Sequence, residues 1–134
     1  MQLIPYLTFN GNCEEALHFY ESVFNGEITS VNRYEGAPMP MPPGYENKIL
    51  HASLQFEGNT IMLCDAMPGS EYIPGNNYSL SVNIPQVITM DALFDKLAQG
   101  GTITMPLQDT FWGARFGMIK DKFGMNWMFN CDLN

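Results

Sequence analysis

The sequence is poor in positive charge, in histidine and in cysteine, and each shortage closes off a class of function. Its 134 residues hold six Lys and Arg against fourteen Asp and Glu, a formal net charge of −8 at pH 7. Nucleic-acid backbones reward clustered Lys and Arg, so no nucleic-acid partner is expected. The negative field favours cationic ligands over anionic ones, and it also keeps a protein soluble whatever it binds. Cys13, Cys64 and Cys131 stand far apart with no CxxC pair. That spacing argues against a zinc cluster and suits free thiols in a reducing cytoplasm. No stretch approaches the roughly 20 continuous apolar residues of a membrane span, so no membrane association is expected. Met1-Gln2-Leu3-Ile4-Pro5 has neither a basic n-region nor an apolar h-region, so no signal peptide is expected either. A cytoplasmic location follows. No glycine-rich phosphate loop follows a strand, and no Ser-His-Asp arrangement stands out.

What the chain does have is apolar periodicity. Its 46% hydrophobic content and its length fit one domain. Cys13, Ala16, Leu17, Tyr20, Val23 and Phe24 recur at helical spacing, behind Asn12 as N-cap and Glu15 as the second half of a capping box. Asn25-Gly26 tolerates left-handed geometry and ends this helix. Strands are expected at Leu3–Phe9, Glu27–Tyr34, Lys48–Phe56 and Thr60–Asp65. Between the second and third lies an extended loop, Glu35–Asn47, spaced by Pro38, Pro40, Pro42 and Pro43.

The same order then recurs. Asn77–Ile84 reads as a strand, and Met90, Leu93, Phe94 and Leu97 mark a helix ended by Gly100-Gly101. Thr102–Leu107, Ala114–Lys120 and Met125–Cys131 read as strands, with a turn-like segment at Gln108–Gly113. Glu15-Ala16-Leu17 matches Asp91-Ala92-Leu93, and Gly26-Glu27-Ile28-Thr29 matches Gly101-Thr102-Ile103-Thr104. The sequence therefore predicts an α+β domain over residues 1–134, made of two βαβββ modules (1–66 and 77–134) and a linker at 67–76. Each half is too small to cover its own sheet, so the halves are expected to pack together.

Three segments carry a family resemblance. They are Ile4-Pro5-Tyr6-Leu7-Thr8-Phe9 running into Glu15-Ala16-Leu17-His18-Phe19-Tyr20; Leu50-His51-Ala52 with Ile61-Met62-Leu63-Cys64-Asp65; and Phe111-Trp112-Gly113-Ala114-Arg115-Phe116-Gly117-Met118 with Asp121-Lys122-Phe123-Gly124-Met125-Asn126-Trp127. In this order they resemble the PhnB-like (3-demethylubiquinone-9 3-methyltransferase-like) branch of the glyoxalase/bleomycin-resistance/dioxygenase, or vicinal oxygen chelate, superfamily. The resemblance implies a cup-shaped mixed sheet with helices on the outer face, a ligand pocket in the cup, and a homodimer. In metal-using members it also implies four ligands, two from each half, around a divalent ion that activates the substrate.

Carried onto this chain, those ligand positions fall near Pro5, Asp65, Tyr78 or Ser79, and Met128. Proline offers no donor, and a thioether is a poor ligand for a hard or borderline divalent ion. Only Asp65, beside Cys64, offers a carboxylate. Of the two histidines, His18 sits on the wet side of the first helix. His51 shares a strand face with Ser53 and Gln55 and points either into the cup or into a hydrogen-bonded wall. The expected metal set is therefore none. Ni, Zn, Mn or Fe enters only under an alternative built on His51 and Asp65.

Other side chains qualify for ligand contact. Arg115 follows Phe111-Trp112-Gly113 and either clamps a planar anion such as a carboxylate or phosphonate, or pairs with Asp109 or Asp121. Phe111, Trp112 and Trp127 line a pocket or fill the core. Met39 and Met41 give the proline-rich loop flexible thioethers, as a lid or a dimer contact. Cys64 is not an obvious nucleophile, because a neighbouring carboxylate opposes thiolate formation. The expected ligand-binding set is His51, Ser53, Cys64, Asp65, Phe111, Trp112, Arg115 and Trp127. Two functions remain open. One is a small-molecule binder without metal at the usual superfamily site, on the pattern of bleomycin-resistance proteins. The other is an atypical metal-dependent enzyme of the glyoxalase or dioxygenase type.

Overall fold

The computed structural model describes residues 1–133 and divides into two compact units, Met1–Ile73 and Pro74–Asn134. The first contains β1 (Tyr6–Phe9), α1 (Cys13–Phe24), β2 (Glu27–Arg33), β3 (Ile49–Phe56) and β4 (Asn59–Asp65). The second contains β5 (Leu80–Asn83), α2 (Val87–Ala98), β6 (Thr102–Asp109), β7 (Ala114–Lys120) and β8 (Asn126–Asp132). Their sheets share one topology. The orders are β1-β4-β3-β2 and β5-β8-β7-β6, with the first pair parallel and the others antiparallel. The α+β class and the twofold βαβββ repeat are as the sequence predicts.

Alternation along the strands separates two faces of the first sheet. Leu7, Phe9, Ala52, Leu54, Ile61 and Leu63 are buried, as is the α1 stripe of Cys13, Ala16, Leu17, Tyr20, Val23 and Phe24. The helix packs across β2, β3 and β4, and Phe24 stacks on Phe56 with ring centroids 4.5 Å apart. Each such buried apolar side chain stabilises the module by about 1.5–3 kcal/mol relative to exposure. Asn25 ends α1 in left-handed geometry at φ 51°.

The start of α1 differs from expectation. Asn12 makes no side-chain capping bond. The Asp65 carboxylate at the end of β4 takes that role, accepting Gly11 N–H and Cys13 N–H at 2.9 Å each. A sequence-local capping box is thus replaced by a cap arriving from more than fifty residues away. Other differences lie at element ends. β1 starts at Tyr6, after Pro5, which has no N–H to donate. β5 is only Leu80–Asn83, α2 starts at Val87, and β6 extends to Asp109. The proline-rich loop holds one 3-10 turn, Tyr45–Asn47. No helix among the described residues is long and apolar enough to cross a membrane.

Candidate functional site on the sheet face away from the helix

The face of the first sheet turned away from α1 carries its polar chemistry. Parallel pairing sets Tyr6 beside Met62 and Thr8 beside Cys64. Antiparallel pairing sets Ser53 opposite Met62 and Ala52 opposite Leu63, where the ladder ends; His51 and Cys64 are the next residues along the two strands. Cross-strand partners on one face have Cβ atoms roughly 4.5–5.5 Å apart. Thr8 Oγ1 lies 3.7 Å from Cys64 Sγ, and the Tyr6 and His51 rings sit 5.9 Å apart. Burial pushes the Tyr6 phenol up to about 12, helped by the charge and hydrogen bond of Cys64. Tyr6 therefore stays protonated and able to donate through the whole neutral range. Ser53 is buried on this face, and His51 and Cys64 are half-exposed.

Three of the sequence-derived candidates thus come together: His51, Ser53 and Cys64. Tyr6 and Thr8 join them and were missed. The available signal was period-two alternation in Tyr6-Leu7-Thr8-Phe9, which puts both hydroxyls on one side once the apolar pair faces the helix.

Asp65 does not join them. It is 2% exposed and points to the helix side, where its second oxygen accepts Ile49 N–H at 2.8 Å. Three backbone donors engage both oxygens, on the face opposite His51 and Cys64. The same bonds bear on Cys64. The neighbouring carboxylate lies on the opposite face of the strand from the thiol. Cys13, on the helix side, has its thiol pushed well above the ordinary range, first by burial and then by Asp65.

In the second unit Arg115 lies on the helix side. Its Nε donates to Asp91 of α2 at 3.1 Å, and an Nη stands 3.6 Å from Asp109. Two carboxylates already hold the guanidinium, so the anion clamp gives way to the expected pairing with Asp109, plus a bond to Asp91. Trp127 is buried, and its indole N–H donates to Asp121 at 2.8 Å. Asp121 also accepts Phe123 N–H and Met125 N–H, repeating the carboxylate lock that Asp65 makes in the first unit. Phe111 and Trp112 occupy the β6–β7 turn, 98% and 58% exposed, their rings edge-on at 5.0 Å. Trp112 also meets Phe116 edge-on at 6.1 Å.

The ligand positions that the resemblance implies fall near Pro5 and Met128, neither of which suits a divalent ion, and Asp65 is engaged by three backbone donors. No group of three or more His, Cys, Asp or Glu able to hold an ion occurs among the described residues.

Comparison with known proteins agrees with the topology. The 3-demethylubiquinone-9 3-methyltransferase family model matches residues 1–129. A protein of Pseudomonas aeruginosa, PA1353, is 37% identical, with a TM-score of 0.91 over 100% of this chain and 99% of its own. The PhnB protein of Bacillus cereus is 32% identical, with a TM-score of 0.83 over 98% of this chain and 99% of its own. A glyoxylase/bleomycin resistance protein/dioxygenase domain from Frankia shares the fold at 17% identity, with a TM-score of 0.71 over 98% of this chain and 97% of its own. The chain belongs to the 3-demethylubiquinone-9 3-methyltransferase family, with the PhnB protein among its relatives, and it shares its fold with the glyoxylase/bleomycin resistance protein/dioxygenase domain.

Proposed function

We propose that this protein binds a small organic molecule on the face of its first sheet turned away from α1, around His51, Ser53, Cys64, Tyr6 and Thr8, without a metal at the usual superfamily site. The observation that carries this reading is the juxtaposition of the Tyr6 and His51 rings beside Cys64 on that face. Rings supply apolar contact area, and the hydroxyls and imidazole fix orientation, the usual division of labour in ligand sites. The net charge of −8 raises the local concentration of cationic ligands. An aromatic cation is accordingly the favoured class, as expected of a binder on the bleomycin-resistance pattern. A homodimer in the cytoplasm accompanies this reading.

Methyl transfer has no support at the corresponding turn. The amides of Gly11 and Cys13, between β1 and α1, are taken by Asp65 and are not free to hold a cofactor's anionic group.

The test is a fluorescence titration with berberine, an aromatic cation, against anilinonaphthalene sulfonate, an aromatic anion. Saturable berberine binding that His51→Ala removes and Arg115→Ala leaves intact supports the reading. Binding of neither probe, or loss with Arg115→Ala alone, contradicts it.

A further inference from the structure

We propose that Cys64 is a nucleophilic thiol that adds to α,β-unsaturated carbonyl compounds, with His51 as its proton acceptor and the Tyr6 hydroxyl as donor to the oxygen that gains charge. The inference deepens the ligand-site reading above and rests on it.

Cys64 lies near the end of β4, with Thr8 beside it on β1 and His51 just beyond the last β3–β4 pair, Ala52–Leu63. Its thiol is half-exposed, whereas Cys13 and Cys131 are buried. A thiol becomes a useful nucleophile when a neighbour accepts its proton, and imidazole is the side chain best suited to that near neutral pH. Around the thiol stand two hydroxyls, Thr8 at 3.7 Å and Tyr6, whose ring also meets His51. A phenol that stays protonated is a fixed donor for developing negative charge. The one carboxylate close in sequence, Asp65, lies on the other face with both oxygens occupied.

These parts suit a conjugate addition. The Cys64 S–H proton passes to a His51 ring nitrogen as the sulfur bonds the β-carbon of the enone. The carbon–carbon π pair moves onto the carbonyl oxygen, giving an enolate held by the Tyr6 O–H. The imidazolium then returns its proton to the α-carbon. The net change is addition of S–H across the double bond, with no oxidant and no leaving group.

The experiment exposes the folded full chain to 2-cyclohexen-1-one at neutral pH, followed by intact mass and peptide mapping. The expected result is one adduct per chain, at Cys64, with Cys13 and Cys131 unmodified. Cys64→Ser forms none. His51→Gln slows the addition by about 100-fold, the lower range for a lost general base. Tyr6→Phe slows the enone by about 100-fold, as for one lost oxyanion donor. It slows alkylation by iodoacetamide far less, because that reaction builds no enolate. A merely structural Tyr6 would move both reagents together.

An unmodified Cys64 in the folded chain overturns the proposal without any variant being needed. So does an adduct that forms equally fast with His51→Gln and Tyr6→Phe. Berberine binding without a Cys64 adduct refutes this inference alone. An adduct without berberine binding refutes the cationic-ligand reading instead.

Discussion

Replacing Asp65 with alanine removes the acceptor that joins the end of β4 to the start of α1 and to β3. Its two oxygens receive Gly11 N–H and Cys13 N–H at 2.9 Å and Ile49 N–H at 2.8 Å. Hydrogen bonds to a charged group contribute about 1.5–3 kcal/mol each, and a buried donor left unpaired forfeits its hydration as well. The Cys13 and Ile49 amides are buried, whereas the Gly11 amide is part-buried and regains water. Counting the two buried bonds gives a loss of about 3–6 kcal/mol, a large share of the ~5–15 kcal/mol that holds a domain folded. With a urea slope of about 2 kcal/mol/M, the midpoint of the first unit falls by about 1.5–3 M. The assay must be far-UV circular dichroism, because Trp112 and Trp127 both lie in the second unit and report only there. Asp65→Asn keeps one acceptor oxygen and should fall between wild type and alanine. A midpoint shift for Asp65→Ala below about 0.5 M would refute the reasoning, since two lost buried bonds cannot cost so little.

Three further outcomes follow from the same structure. Tyr6 is raised above the ordinary tyrosine value to about 12, so its folded state favours the protonated phenol. That contribution is complete below about pH 10 and is lost as pH rises toward 12. Absorbance titration should show a late tyrosinate step that Tyr6→Phe removes, and a step at the ordinary value would contradict it. Gly101→Ala puts a Cβ 2.5 Å from the Lys120 carbonyl oxygen and 2.9 Å from Asp121 backbone atoms. Backbone cannot give way as a side-chain tip does, so the melting temperature should drop, with a cost of about 1–3 kcal/mol by calorimetry. Arg115→Ala breaks partly exposed pairs with Asp91 and Asp109 and should cost only about 0–1 kcal/mol by urea titration. A larger loss would mean that the guanidinium does more than join α2 to β6 and β7.

The order of elements was legible because periodicity is local. The α1 stripe matches the buried residues of Cys13–Phe24, and β7 spans Ala114–Lys120 as read from the sequence. Long-range placement was not legible. Asp65 looked like a ligand because a carboxylate beside a cysteine on a strand gives no hint that an amide more than fifty residues away claims it. Arg115 and Trp127 suffered the same ambiguity. Strand alternation pairs Arg115 with Cys131 on one face, but only the tertiary contact with Asp91 says that this face is the helix side. His51, Ser53 and Cys64 were chosen separately and share one face. Tyr6 and Thr8 were missed because β1 was read as a structural strand with no chemistry assigned. Phe111 and Trp112, expected to line a pocket or fill the core, stand exposed in a turn, a placement that strand and helix periodicity gives no means of reading.

The central claim is ligand binding without a metal, and one measurement addresses both halves. Berberine binding by equilibrium dialysis is compared between chelator-treated protein and protein offered nickel, zinc, manganese and ferrous iron in turn, with bound metal counted by mass spectrometry. The account predicts the same saturable binding in every sample and no stoichiometric metal retained. Berberine binding that appears only with about one retained metal per chain, and that vanishes together with the metal in His51→Ala, would contradict it.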